Sequence, residues 1–230
     1  TERGRSANTL AAYRRDLTAW WVWMGTRSAG APVPPDIRNA GEPDLLGYIA
    51  HLRAIGRAPS TVARATVAVR SLFRFLRDEG ELPVDPLADV EVPGVPRGLP
   101  KALSEPEIER LLDAVQGDGP VDRRDRAILE VLYGTGARIS ELVGLSLGDV
   151  DLDGSLLRVF GKGARERVVP LGRMARTALA QWLGDAGRDQ LVPPHWARRG
   201  DAEAVFLNQR GGRLSRQGAW GVVRRYGELV

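Results

Sequence analysis

Between Gly80 and Pro100 the chain carries prolines at Pro83, Pro86, Pro93, Pro96 and Pro100, with Gly94 and Gly98 among them. A proline lacks the backbone N–H and pushes the residue before it away from helical dihedrals, so no helix runs through this stretch. It predicts an extended linker over 81–100, between an N-terminal unit over 1–80 and a C-terminal unit over 101–230. Apolar residues make up 43% of the chain, enough to give each unit a core. No stretch reaches the roughly 20 apolar residues of a membrane span, and no charged-then-apolar start reads as a secretory signal. Cysteine is absent, which excludes a disulfide framework and thiolate chemistry. Two isolated histidines, His51 and His195, cannot build a histidine-rich metal site. The expectation is a cytoplasmic protein with no metal and no cofactor.

The N-terminal unit reads as all helix. Thr9 to Trp23 carries Leu10, Tyr13, Leu17 and Trp20–Trp21 on one side. Gly30 to Pro35 is a break, and Pro43 to Ile55 a second helix. Ser60 is the expected N-cap of a third, reaching about Asp78, with Val62, Val69, Phe73 and Leu76 at helical spacing. Arg70, Arg74 and Arg77 form an i, i+4, i+7 stripe on that helix, and Arg53, Arg57 and Arg64 lie nearby in sequence. Such a stripe is either a solvated face or one that tracks DNA phosphates.

The C-terminal unit mixes element types. Ser104–Glu105–Pro106–Glu107 matches a capping box. Helices are expected at about 105–115, 122–133 and 173–183, and a last one from the cap Ser215 into the chain end, where no stop signal appears. Leu156–Phe160 and Arg167–Leu171 read as two strands joined through Gly161–Lys162–Gly163, and Val205–Asn208 as a further short strand. The fold class is therefore mainly α with a small antiparallel β-sheet.

Charge narrows the function. The net charge is +4 with a pI near 9.9, compatible with nucleic acid. Of the 33 basic residues only Lys101 and Lys162 are lysine. A GC-rich genome accounts for that bias, yet it singles out the lysines, because lysine can release a proton near neutral pH and arginine cannot. Lys162 sits at a glycine-flanked hairpin tip. Arg138 follows the turn Gly134–Thr135–Gly136 at an expected helix start, with Glu141 one turn on. A held guanidinium grips a phosphate through paired hydrogen bonds, and a mobile amine delivers a proton to a leaving oxygen. Together they suit phosphoryl transfer without a metal. A helix-start arginine paired with its own glutamate, and a hairpin lysine placed for solubility, is the other reading.

The segment YGTGARISELVGLSLGDVDLDGSLLRVFGKGARERVVPLG, Tyr133 to Gly172, resembles the first conserved box and hairpin of Xer-type tyrosine recombinases. FLNQRGGRLSRQGAW, Phe206 to Trp220, resembles the segment before that family's second box, leaning toward its XerD-like branch. ERGRSANTLAAYRRDL, Glu2 to Leu17, resembles the start of its core-binding domain. The resemblance implies a helical, SAM-like core-binding domain followed by an α+β catalytic domain. It also implies strand exchange on double-stranded DNA in a tetramer, through a tyrosine nucleophile, a 3′-phosphotyrosyl bond and a Holliday junction. Neither metal nor ATP takes part. Arg138 becomes the first phosphate-binding arginine, Lys162 the general acid and Glu141 a supporting residue. Arg64, Arg70, Arg74, Arg77, Arg213, Arg216 and Gln217 become DNA contacts.

The second box, His-x-x-Arg-His, and the nucleophile lie beyond Val230 in that family, so a chain truncated there and at its start is expected, one that binds DNA weakly and does not cleave it. His195–Trp196–Ala197–Arg198 imitates the second box but precedes the Phe206–Trp220 segment, and reads as a loop coincidence. Tyr13 and Tyr133 are expected in the core, Tyr48 in the helical unit, and Tyr226 as packing or a phosphate contact. Chromosome dimer resolution with a paralogous recombinase, and with a division-associated translocase as a possible partner, is the expected role. A mobile-element integrase or a non-cleaving DNA-binding protein is the alternative.

Overall fold

The computed structural model describes residues 7–27, 36–96, 102–161 and 165–230, with the side chains of residues 7 and 8 left out. Lys101, Lys162 and the expected break at Gly30–Pro35 lie outside the described residues. The chain forms two units, Thr1–Pro100 and Lys101–Val230.

The first unit packs α1 (Ala7–Arg27), α2 (Glu42–Ala54) and α3 (Pro59–Asp78) around Trp20, Leu45, Tyr48, Leu52, Val62, Val69 and Phe73. Asp44 accepts from the Gly41 N–H at 3.0 Å and closes the start of α2. α3 opens two residues earlier than expected. Pro59 fills its first position, where a missing N–H costs nothing, so Ser60 lies inside the first turn and Ala58 is the cap. Trp20 and Trp21, expected on one side, diverge, because neighbours on a helix point about 100° apart. Trp20 is buried against the edge of Tyr48, ring centroids 5.1 Å apart, and Trp21 is exposed.

The stretch expected to be a linker is docked over much of its length. Leu82, Leu87 and Val90 belong to the core of the first unit. Asp85 accepts from the Leu87 N–H at 3.0 Å, and Arg70 donates through Nη2 to the Ala88 carbonyl at 2.8 Å. The prolines stop a helix without preventing the apolar residues between them from packing.

The second unit begins with α4 (Glu105–Asp113), where Glu107 accepts from the Ser104 N–H at 2.7 Å, as the capping-box pattern predicts. α5 (Pro120–Thr135) is the central helix, with Ala127, Ile128, Leu129 and Val131 buried. It ends at Gly136, whose φ of +61° is one that L side chains rarely adopt. α6 (Ile139–Gly144) follows, then β1 (Val150–Asp151), β2 (Leu156–Phe160) and β3 (Glu166–Pro170) in an antiparallel sheet of order β1-β2-β3. α7 (Arg173–Leu183) packs on α5 at close range: a Cβ on Gly134 would stand 3.3 Å from that of Ala175. α8 (Arg216–Gly227) is the last helix and stops short of Val230, with Glu228 as its C-cap.

Val205–Asn208, expected as a strand, makes only isolated bridges at Ser146↔Ala204 and Leu207↔Arg213. Residues 204–207 are wholly buried; side chains take three of their carbonyls, and the Leu214 N–H takes that of Phe206. Arg188 donates to Ala204, Trp182 to Val205 and Arg124 to Leu207. Tyr226 is buried, its hydroxyl donating to Asp125 at 3.4 Å. Tyr133, expected in the core, is 57% exposed at the end of α5. Among the described residues no helix is long and apolar enough to cross a membrane.

Candidate phosphate-binding site

The left-handed Gly136 turns the chain out of α5, buried Ala137 anchors the turn, and Arg138 becomes the N-cap of α6. Glu141, three residues on, accepts from the Arg138 backbone N–H at 2.9 Å and from its Nη1 at 2.9 Å. A third partner comes from the sheet. Strand alternation places Arg167 on the same face of β3 as Val169, opposite Val159 of β2. Its Nη1 and Nη2 donate to Oε1 and Oε2 of Glu141, both at 2.8 Å. The Glu141 side chain is 2% exposed, that of Arg138 72%. Hydrogen bonds from Arg167 first, then from the Arg138 backbone and side chain, hold the Glu141 carboxyl down at about 2 against the upward push of burial. Glu141 is thus a fixed anion that orients cations and does not donate protons near neutral pH.

Two guanidiniums around one carboxylate leave a net positive charge, and the more exposed of the two is Arg138. The backbone at Gly161 lies against this cluster. A Cβ on Gly161 would stand 3.4 Å from Glu141 Oε1, so the hairpin passes directly over the carboxylate. Gly161 donates to the Arg165 carbonyl at 2.8 Å and closes the base of the tip. Lys162, next in sequence to Gly161, lies outside the described residues. Arg167 was legible only as a strand residue, and the signal for more was there. An arginine at an inward strand position needs a carboxylate.

Beside α6 lies an open groove of about 650 Å³, lined by Ile139, Ser215, Arg216, Gln217 and Trp220. Ser215 accepts from the Gly218 N–H at 3.0 Å and caps α8 as expected. Arg216 and Gln217, both expected at DNA, therefore share a groove with the residue that follows Arg138. The exposed indole of Trp220 was not anticipated there.

Arg213 is placed differently from its expected DNA contact. Its Nη1 donates to the carbonyls of Val143 at 3.1 Å and Leu145 at 2.9 Å, and its Nη2 to Ser146 Oγ at 3.2 Å and the Gly200 carbonyl at 3.3 Å. It satisfies carbonyls that the end of α6 leaves without helical partners. Arg213→Ala should lower unfolding stability by about 1–3 kcal/mol in urea titrations. It should leave the salt dependence of DNA binding unchanged; a flattened slope would return Arg213 to the DNA face.

The N-terminal arginines are also partly committed. Arg64 forms a two-point pair with buried Asp16, at 2.8 and 3.1 Å. Arg70 holds Ala88, and Arg77 pairs with Asp78. Arg74 is exposed and makes no hydrogen bond to another described residue. His195 and Arg198 sit on an exposed loop, where Arg188 lies 5.9 Å from the ring of Trp196.

Residues 101–230 match the model of the phage integrase family, and residues 1–80 that of the phage integrase N-terminal SAM-like domain. The tyrosine recombinase XerD of Corynebacterium glutamicum is 42% identical over 232 residues, spanning 97% of this chain and 72% of that protein. The tyrosine recombinase XerC of Roseiflexus sp. is 41% identical over 230 residues, spanning 99% and 70%. Both branches match equally well, so identity does not separate them. The fold is that of a lambda integrase dimer bound to a COC′ core site, with a TM-score of 0.70 at 16% identity over 99% of this chain and 76% of that one. It is also that of the Tn1549 transposon integrase in complex with circular intermediate DNA, with a TM-score of 0.69 at 18% identity over 98% and 75%. The chain belongs to the phage integrase family as a tyrosine recombinase of the Xer type, a family of enzymes that transfer DNA strands in site-specific recombination.

Proposed function

We propose that Arg138 binds the phosphate at which a DNA strand is exchanged, with Glu141 orienting it and Lys162 protonating the 5′ leaving oxygen. The observation that carries this reading is the exposed Arg138 guanidinium held by buried Glu141, ionised near neutral pH, beside Gly161 at the end of β2. A cation fixed in advance stabilises charge that develops on phosphate without paying for reorganisation during the reaction. Arg216 and Gln217 at the neighbouring groove, and Arg74 on α3, contact the DNA around it.

None of the tyrosines in this chain serves as nucleophile in this reading. Tyr226 is buried on Asp125, and Tyr48 is buried within the first unit. The 230-residue chain binds duplex and does not cut it. In the cell the recombinase acts in the cytoplasm in a tetramer with a paralogous partner, and a division-associated translocase acts on it to resolve chromosome dimers.

Gel shifts with nicked suicide duplexes test this. The chain should shift duplex in a salt-sensitive manner and leave no adduct that survives denaturing electrophoresis. Replacing Arg74 and Arg216 together by glutamine should reduce the slope of log affinity against log salt by about 2, roughly 0.9 per lost phosphate contact. A covalent adduct formed by this chain alone would overturn the assignment of its tyrosines. A salt-independent shift would overturn the DNA-facing surface.

A further inference from the structure

We infer that Arg167 is a positioning residue for strand exchange: by taking up the charge of Glu141 through two hydrogen bonds, it keeps Arg138 turned outward and cationic toward phosphate. The inference rests on the reading that Arg138 binds a DNA phosphate.

The geometry is particular. Arg138 Nη1 and Arg167 Nη1 donate to the same oxygen, Glu141 Oε1, at 2.9 and 2.8 Å, while Arg167 alone also sends a guanidinium nitrogen to Oε2. Arg167 thus holds the carboxylate at both oxygens, and Arg138 touches its edge with one nitrogen of the side chain. Arg138 keeps most of its surface in solvent, and the Arg167 side chain is 39% exposed against 72% for Arg138.

Without Arg167, a buried carboxylate faces one guanidinium alone. A buried anion is costly unless fully paired, so Glu141 would draw Arg138 in to complete its second oxygen. The local charge would fall from one net positive to zero, and the donors meant for phosphate would be spent on Glu141. Arg167 also sits on β3, which pairs with β2, so the same contact ties this strand pair to the helix that Arg138 caps.

The test uses the chain with duplexes in which each phosphate across the bound region is replaced in turn by a neutral methylphosphonate. One position should cost the wild type about tenfold in affinity and cost Arg138→Ala almost nothing, which identifies the phosphate that Arg138 reads. At that position Arg167→Met should lose the discrimination as Arg138→Ala does, while Arg167→Lys keeps much of it. The decisive variant is Arg167→Met combined with Glu141→Gln. Glu141→Gln keeps an oxygen for the Arg138 N–H but removes the charge that would draw the guanidinium inward, so discrimination should recover from almost none to at least about threefold, short of wild type because the ionic hold on Arg138 is also gone. A purely structural role for Arg167, or a direct contact of its own with phosphate, predicts no such return.

Discrimination retained in a folded Arg167→Met, or absent in the folded double variant, overturns the inference and leaves the Arg138 reading standing. If no position responds to Arg138→Ala, the Arg138 reading falls and this inference with it. Should Arg167→Met fail to fold, the double variant decides alone.

Discussion

In a cleavage-competent form of the protein, Lys162→Ala slows cleavage of an ordinary phosphodiester by about 10²–10⁴-fold, the usual contribution of a positioned general acid. When the tyrosine displaces the 5′ oxygen, an unprotonated alkoxide is a poor leaving group, and the donor must give up a proton as the P–O bond breaks. Arginine cannot do this at accessible pH, whereas lysine can. In a chain whose cations are almost all arginine, Lys162 is the one lysine between β2 and β3. Its neighbour Gly161 lies against Glu141, the residue that holds Arg138, so the hairpin base and Arg138 share one support. A substrate with sulfur at the 5′-bridging position leaves as a stable thiolate and needs no proton. It should restore the rate of Lys162→Ala to near that of the unmodified protein, measured as single-turnover cleavage. Failure of the sulfur substrate to rescue would refute the general-acid role.

The largest stability effect is expected at Glu141. Glu141→Ala removes the anion between two guanidiniums and leaves Arg138, Arg167 and the Arg138 N–H without the acceptor they share. Breaking a buried ion cluster from one side costs about 3–5 kcal/mol. Here about 2–4 is expected, because both arginines reach solvent and can rehydrate. The ionised Glu141 carboxyl titrates at about 2 in the folded chain, below its ordinary 4.5. A depressed carboxyl stabilises the fold above its unfolded value, so this contribution is complete above about pH 4.5 and fades as pH falls toward 2. Its size is on the order of 2 kcal/mol once exposure of the partners is allowed for. Asp125 and Glu130 move the opposite way, since burial raises both. The comparison is therefore the difference in urea stability between wild type and Glu141→Gln. That difference should shrink between pH 4.5 and pH 2; a constant difference would mean that Glu141 does not carry this charge.

Much of the local structure was readable in order along the chain because its causes lie within four residues. Ser104 and Glu107 make their capping box, Ser215 caps α8, and β2 and β3 pair through the glycine-flanked turn. The errors have equally local causes. Helix geometry separates Trp20 from Trp21, and Pro59 displaced Ser60 from the cap. The prolines between 83 and 96 stop a helix as expected, and Leu82, Leu87 and Val90 between and beside them still bury apolar surface in the first unit.

The arginines show the limit most clearly. Arg138 and Glu141 lie one turn apart, and their pairing could be read directly from the sequence. Arg167 reaches the same carboxylate from 26 residues away, Arg64 reaches Asp16 from 48, and Arg213 reaches Leu145 from 68. Sequence alone determined the helical character of the first unit, the mixed elements of the second, and the glycine turn before Arg138, because backbone sterics and short-range hydrogen bonds set those features. Which guanidiniums remain open to phosphate was decided by the tertiary structure. The same five donors bind a carboxylate, a carbonyl or a DNA phosphate, and only the packing of distant elements determines which acceptor stands within reach.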